Sequence, residues 1–525
     1  MGTDVSFLDH GLHSQETKRH HPFGEPSDYP SSAFQLGDCM ISEDARKWID
    51  ECKMYHQQCR IPNRTFRPTR LVEIISSNRV KLILSANLPP NVEVNYVAFS
   101  HCWGNTKRLE LKRENASQLF TGFDTEVLPR TYKHAIAICV QLQYRFIWID
   151  SLCIFQDSRS DWQHEATMMG SVYAKADLNL CAASAADSSE DIFPHRDQNL
   201  LTPLDITSRW TGEEERRLRI VPIDLFYADV SLSPLRKRAW VTQEWYLSKR
   251  SLILGSMQAW WQCHGKLACE TVPNGLTDDI GVMKYWKADA DPMKELGEAL
   301  ADYGRVHSSW QSVTAMYANT ALTREDDRLM AFSGIAQAFR ASHKMTERYV
   351  AGFWRGFLPG SLAWANTGRR TTTTRSKTYK APSWSWLSLD GPYELIMPTD
   401  VNDLEQCSVE NLWLHYVDDS HDTGLLRGGA IQLRGHLIGP AIRDSDGHLS
   451  EDFVIDTYCE GFEDGDRVEY WAGGDRVMLK IMLDEKDSNH VAIVSYLDDL
   501  TLGDYQHGLI DGTTRKSMPF EHADE

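Results

Sequence analysis

The stretch YRFIWIDSLCIFQDSRSDWQHEATMMGSVYAKADLNLCA, Tyr144 to Ala182, decides the fold. Tyr144 to Ile149 is a short apolar run of the kind that makes a strand buried on both faces. Ser160 reads as a helix N-cap, with Gln163 closing a capping box. The helix it opens is expected to run to about Lys175, and its stripe Trp162, Glu165, Met169, Val172, Ala176 follows steps of three and four. Leu178, Leu180 and Ala182 alternate as a further strand.

The same rhythm extends upstream. Val94 to Ser100 is an apolar run ending in Ser100-His101-Cys102-Trp103-Gly104. Pro129 suits the first turn of a helix, and Tyr132, Ala135, Ile136, Cys139 and Leu142 keep a 3.6-residue period. Strand, helix, strand, helix, strand predicts a parallel α/β sheet.

Further out, a helix is expected over 43–59 and a hairpin from Leu71–Ile75 and Val80–Leu84 around Ser76-Ser77-Asn78. Downstream come a short helix over 236–248, strands at 250–254 and 258–263, helices within 290–345, and an exposed Thr-rich loop from Arg369 to Lys377. Short runs then alternate with Gly and Asp turns (Ala430 to Leu433, Val477 to Leu483, Val491 to Tyr496). The expected organisation is a mobile tail at 1–38, an N-terminal helix and hairpin at 39–90, the α/β domain at 91–255, a mainly helical middle at 256–390 and a β-rich region at 391–525.

The 525 residues carry 55 Lys+Arg against 74 Asp+Glu, a formal net charge of −19. So acidic a chain repels phosphate backbones, which argues against general nucleic-acid binding. Eleven scattered cysteines form no even-numbered framework, and no signal peptide is visible. Both point to a reducing, cytoplasmic setting. No run is long and apolar enough for a transmembrane helix. Met1-Gly2-Thr3-Asp4-Val5-Ser6 fits the N-myristoylation pattern at Gly2, against the plain reading of an unstructured start. G-x-G-x-x-G, Walker A and G-x-S-x-G patterns are absent. His164-Glu165 starts an H-E-x-x-H pattern, but position 168 is Met.

Ligands of open α/β sheets sit outside the carboxyl ends of the strands, which directs attention to Trp103, Asp150 and Ser151. Asp150 could equally cap its own turn. Glu165 puts a carboxylate on an apolar seam, where it must be paired or face a cavity; Arg145 and Arg238 are the candidate partners. Trp240, Glu244 and Leu247 share one face of the 236–248 helix. Arg236, Lys237 and Arg238 crowd its first turn, as a solvated rim or against an acidic partner or anionic ligand. Cys52, His56 and Cys59, at i, i+4 and i+7, are soft ligands on one face, but no fourth ligand is adjacent and buried Cys often simply packs. The sequence alone therefore sets packing ahead of zinc, with Cys263-His264 and Cys269 as more distant contributors. The 17 Trp residues, with pairs at Trp260-Trp261 and Trp384/Trp386, read as core before ligand platforms.

Three blocks together resemble the fungal heterokaryon incompatibility (HET) domain. They are Tyr96-Val-Ala-Phe-Ser-His-Cys-Trp-Gly104, Phe146-Ile-Trp-Ile-Asp-Ser-Leu-Cys-Ile-Phe-Gln-Asp157 with Trp162 and Glu165 beyond it, and Arg238-Ala-Trp-Val-Thr-Gln-Glu244. Flanking pieces, among them Pro68-Thr-Arg70 and Ala381-Pro-Ser-Trp-Ser-Trp386, also fit. His101 stands where Tyr is usual and Phe99 where Leu is common. The resemblance implies a TIR-like, flavodoxin-like parallel sheet with helical insertions, and a role in fungal self/non-self recognition and programmed cell death. By the distant similarity to TIR domains it further implies NAD hydrolysis, with Glu165 of Trp162-Gln-His-Glu165 as the catalytic carboxylate. In that reading Trp103, Asp150, Ser151, Arg238 and Glu244 line the substrate site, NAD is substrate rather than bound cofactor, and the chain self-associates as a homo-oligomer. A non-enzymatic self-associating module, and recruitment to another role such as small-molecule biosynthesis, are the alternatives.

Overall fold

The computed structural model describes residues 5–7, 43–61, 65–90, 93–192, 204–208, 216–222 and 226–276. Beyond these it describes 303–366 and 379–388 apart from 323, 325, 326, 363 and 383, then 393–395, 407–435 apart from 419 and 420, and the strands 457–458, 468–472, 475–484 and 487–494. The expected Thr-rich loop, Gly2, and the tail apart from Val5–Phe7 lie outside these residues. The chain divides into two compact units, Met1–Leu300 and Ala301–Glu525.

In the first unit, strand β1 (Val5–Phe7) pairs with β9 (Arg216–Pro222), which also pairs with β8 (Leu204–Ser208). A β-branched and an aromatic residue thus give a strand within the segment expected to be a structureless tail. Helix α1 (Glu43–Tyr55) stops four residues short of the expected end, and a separate 3₁₀ turn covers Gln57–Cys59. The predicted hairpin is formed by β2 (Arg70–Ser76) and β3 (Arg79–Leu84).

The core is built on β4 (Tyr96–Ser100), β6 (Phe146–Trp148), β7 (Leu178–Ala182) and β10 (Arg250–Leu254), every residue of which is buried. Their runs lack the polar alternation of a one-sided sheet, as expected for strands covered on both faces. They pair in parallel in the order β10-β7-β4-β6. Renumbered along the chain this is 2-1-3-4, the order of flavodoxin-like doubly wound sheets. The switch point therefore lies between β4 and β7. Antiparallel strands complete a mixed nine-stranded sheet: β11 (Ala259–Cys263) and β12 (Lys266–Cys269) beyond β10, and β2, β3 and β5 (Phe123–Asp124) beyond β6. The sheet thus takes in both the N-terminal hairpin and strands past residue 255.

The connecting helices are α2 (Ala116–Thr121), α3 (Arg130–Gln141, with Pro129 as its N-cap), the single turn α4 (Asp150–Cys153), α5 (Arg159–Lys175) and α6 (Ala239–Leu247). The N-cap of α5 is Ser158, not Ser160: its hydroxyl accepts from the Asp161 N–H. The expected seam of α5 is real, with Glu165, Met169 and Val172 buried. Trp162 meets Trp240 of α6 edge to face, with ring centroids 6.4 Å apart. The segment 235–237 is a 3₁₀ turn that precedes α6.

In the second unit, α7 (Tyr303–Ala318) and α8 (Arg328–Ser342) share an aromatic core. Trp310 packs on Phe332, Phe339, Tyr349 and Trp354, and Trp386 packs on Tyr317 and Phe332. Trp384 and Trp386 are buried here, and Trp260 and Trp261 in the first unit, so these tryptophans are core. A six-stranded sheet forms from Cys407–Tyr416, Leu426–Gly435 and the strands between Thr457 and Val494, every pairing antiparallel.

Candidate functional site

The carboxyl ends of β4 and β6 carry the first group of site residues. Beyond β4 the chain turns sharply at Gly104, whose φ is +61°. A Cβ there would sit 2.0 Å from the Asp187 carboxylate, which accepts the backbone N–H groups of Asn105 and Thr106. Glycine meets both demands. The turn presents Trp103, whose indole N–H donates to Asp150 Oδ2 at 2.8 Å and whose ring lies 3.9 Å from the Arg108 guanidinium. Asp150 Oδ1 accepts the Ser151 N–H at 2.6 Å, so the capping reading of Asp150 holds together with its contact to Trp103. The Asp150 side chain keeps 16% exposure, a carboxylate open to solvent at the end of a dry strand.

Behind this mouth runs a chain of buried polar groups. The His101 imidazole is 3.8 Å from Asp150 and 2.8 Å from the Tyr132 hydroxyl, which in turn meets the Ser151 hydroxyl at 2.8 Å. Burial pushes His101 down to about 4, so the ring is neutral at ordinary pH. Arg238 is half-buried and donates to the His101 carbonyl. Its expected neighbour Arg236 lies over the Trp245 ring at 4.6 Å, while Lys237 is exposed.

Beside Arg238 lies Glu244, only 3% exposed. Burial pushes its carboxyl up to about 7; Arg238, Ser100 and Tyr173 oppose the rise, and the charge of Asp150 adds to it. Its Oε2 has no hydrogen-bond partner among the described residues. Ser100 also donates to Asn179 Oδ1 at 3.0 Å, tying the carboxyl end of β4 to the neighbouring strand β7 across the switch point. The five residues expected to line a substrate site, Trp103, Asp150, Ser151, Arg238 and Glu244, are thus linked through one polar network.

Glu165 belongs to a different arrangement. It is 1% exposed and its Oε1 accepts from Arg70 at 3.2 Å. Arg70, itself 5% exposed, also binds Asp161 at 2.6 Å and the Cys153 carbonyl at 2.6 Å. Burial raises the Glu165 pKa against the lowering effect of Thr69 and Arg70. The ion pair weighed from sequence therefore has Arg70 as partner. Arg145 pairs instead with Glu73 at 2.9 Å, and Arg238 with the His101 carbonyl. An open cleft of about 420 Å³ lies over the start of α5, lined by Arg113, Phe155, Ser158, Ser160, Asp161 and His164; Glu165 is not among them.

Cys52, His56 and Cys59 lie apart from both groups, near the end of β11, and Cys263 joins them; Cys269 packs in an apolar cluster instead.

Sequence comparison assigns the region that holds both carboxylate groups. Residues 96–244 match the family model "Heterokaryon incompatibility protein (HET)". No curated protein and no solved structure matches. The HET segment begins on β4 and ends on Glu244, so it spans the three parallel strands at the switch point and the whole polar network at their ends. This supports a heterokaryon incompatibility-type role. Among the described residues, no helix is long and apolar enough to cross a membrane. Arg70, His101 and Tyr132 are the participants that residue patterns alone did not single out as site residues, while Cys263 read only as a more distant contributor to the cysteine group. The signal for Arg70 was its place in the flanking Pro68-Thr-Arg70 piece.

Proposed function

We propose that this chain is a fungal self/non-self recognition effector whose HET segment takes a ribose-bearing, anionic nucleotide of the NAD class at the strand-end network. In this reading Asp150 is the carboxylate that meets the ribose, Trp103 is the stacking platform and Arg238 meets phosphate. Glu165 is a structural lock. The observation that carries the reading is the contrast in access. Asp150 is open at the carboxyl end of a parallel strand, next to the switch point where such sheets bind nucleotides, whereas Glu165 is enclosed with a guanidinium.

The reaction that suits the arrangement is cleavage of the nicotinamide–ribose bond. The C–N bond breaks with its electron pair going to nicotinamide, which leaves neutral. Positive charge develops on the ribose ring and is met by the Asp150 carboxylate. Water adds to the anomeric carbon and gives up a proton. Glu244, titrating near neutrality, takes a proton in the same network.

Calorimetric titration of NAD into the purified chain tests the site. Binding by the wild type, lost in Arg238→Met and weakened in Trp103→Ala, is expected. Unchanged binding in both variants would contradict the assignment.

A further inference from the structure

Outside the HET segment, four side chains converge: Cys52 from α1, His56 and Cys59 from the turn after it, and Cys263 from the end of β11. Their ligand atoms, three Sγ and one imidazole nitrogen, all lie within 4.8 Å of one another. His56 Nδ1 is 3.2 Å from Cys263 Sγ. We propose that this is a structural zinc site of the Cys₃His type, fastening α1 to the β11–β12 hairpin.

The local structure explains how the donors meet. Helix α1 ends at Tyr55 and His56 is extended (φ −92°, ψ 95°) before the 3₁₀ turn Gln57–Cys59. This turn, rather than one helical face, gathers the first three donors. The fourth comes from 207 residues away in sequence, which is why the N-terminal spacing falls one ligand short. Gly265 makes the approach feasible: a Cβ there would lie 2.8 Å from the His56 ring.

The donor chemistry fits zinc. Bonds of about 2.3 Å to sulfur and about 2.0 Å to nitrogen in a tetrahedron put ligand atoms roughly 3.5–3.8 Å apart, within the observed spread. Four protein donors leave no open position, the mark of a structural rather than catalytic centre. Three thiolates and one neutral imidazole around Zn²⁺ leave a net charge of −1. The buried Arg250 stands beside it, donating to the Cys59 carbonyl at 3.0 Å. Cys52, Cys59 and Cys263 are free thiols, so no disulfide competes for them. Cys153 and Cys269 are also buried but sit outside this group.

The test is metal analysis of the full chain, purified without chelator, by plasma mass spectrometry. Near one zinc per chain is expected. Replacement by Co²⁺ should give a thiolate-to-cobalt charge-transfer band and the strong visible bands of tetrahedral coordination. Cys263→Ser should lower the zinc content and alter that spectrum. Because this variant could fail to fold, His56→Cys, which keeps four donors, and Cys269→Ser, which lies outside the set, provide the check: both should retain zinc. A folded wild-type chain that carries no zinc and gives no tetrahedral Co²⁺ spectrum would overturn the proposal. So would zinc retained in full by a folded Cys263→Ser chain.

Discussion

Two regions of the sheet domain use the same residue types and reach opposite states. At the start of α5, Glu165 and Asp161 share one guanidinium, and that guanidinium is also held by the Cys153 carbonyl. At the strand ends, Arg238 and Asp150 act on Glu244 in opposite senses, but Arg238 spends a donor on the His101 carbonyl and Glu244 keeps an unpartnered oxygen. In the first set Glu165 is enclosed against its guanidinium, and the set works as a joint. The second is incompletely satisfied and lies at the place where doubly wound sheets receive ligands. Burial of an acid does not by itself mark a working site; what its partners leave unsatisfied does.

The comparison breaks first at Arg70. Arg70→Ala strands Glu165 as a buried acid without its counter-charge and should cost about 3–5 kcal/mol in chemical denaturation. A cost below ~1 kcal/mol would show that the joint is not a joint.

Next comes Glu244. Its folded pKa of about 7 lies above the 4.5 of a free glutamate side chain, so the native state binds the proton more tightly than the unfolded chain. The stability this contributes is complete below the unfolded value and is lost as pH rises through the folded one. Glu244→Gln mimics the protonated form. It should therefore stabilise the protein by about 3 kcal/mol at pH ~8 and leave it unchanged near pH ~4. A pH-independent difference in melting temperature would contradict this.

Glu165→Gln sharpens the contrast. The amide oxygen can still accept from Arg70, so a loss of about 1–2 kcal/mol is expected. The smallest effect belongs to Trp103→Phe, which removes the hydrogen bond to Asp150 at a half-exposed site and should cost about 1 kcal/mol or less, read as a small shift in the denaturation midpoint.

Much of this was legible in the sequence. The apolar runs Tyr96–Ser100 and Phe146–Trp148 and the seam of α5 give the parallel sheet directly, because two-sided burial removes polar alternation. The residues at the strand ends follow from the rule that ligands sit at the carboxyl edge. The start of α5 was misplaced by two residues: Ser160 satisfied the capping-box spacing, but it is Ser158 that meets the Asp161 N–H. The partner of Glu165 was out of reach of local patterns because Arg70 lies 95 positions away, on a strand otherwise read for its apolar residues. Cys263 reads from sequence only as a distant contributor, because nothing local ties it to the N-terminal cysteines. Local periodicity records which face is buried; it does not record which distant charge or thiol is brought to that face.

In the proposed reaction Asp150, and not Glu165, is the carboxylate that meets substrate. Nicotinamide release from NAD by the purified chain at high concentration, compared among wild type, Asp150→Asn and Glu165→Gln, tests it most directly. A fall of about 100-fold or more is expected in Asp150→Asn, the scale on which a positioned acid–base or charge-stabilising group acts, with Glu165→Gln within a few-fold of wild type at a temperature where it is folded. Release abolished by Glu165→Gln in folded protein but untouched by Asp150→Asn would contradict it.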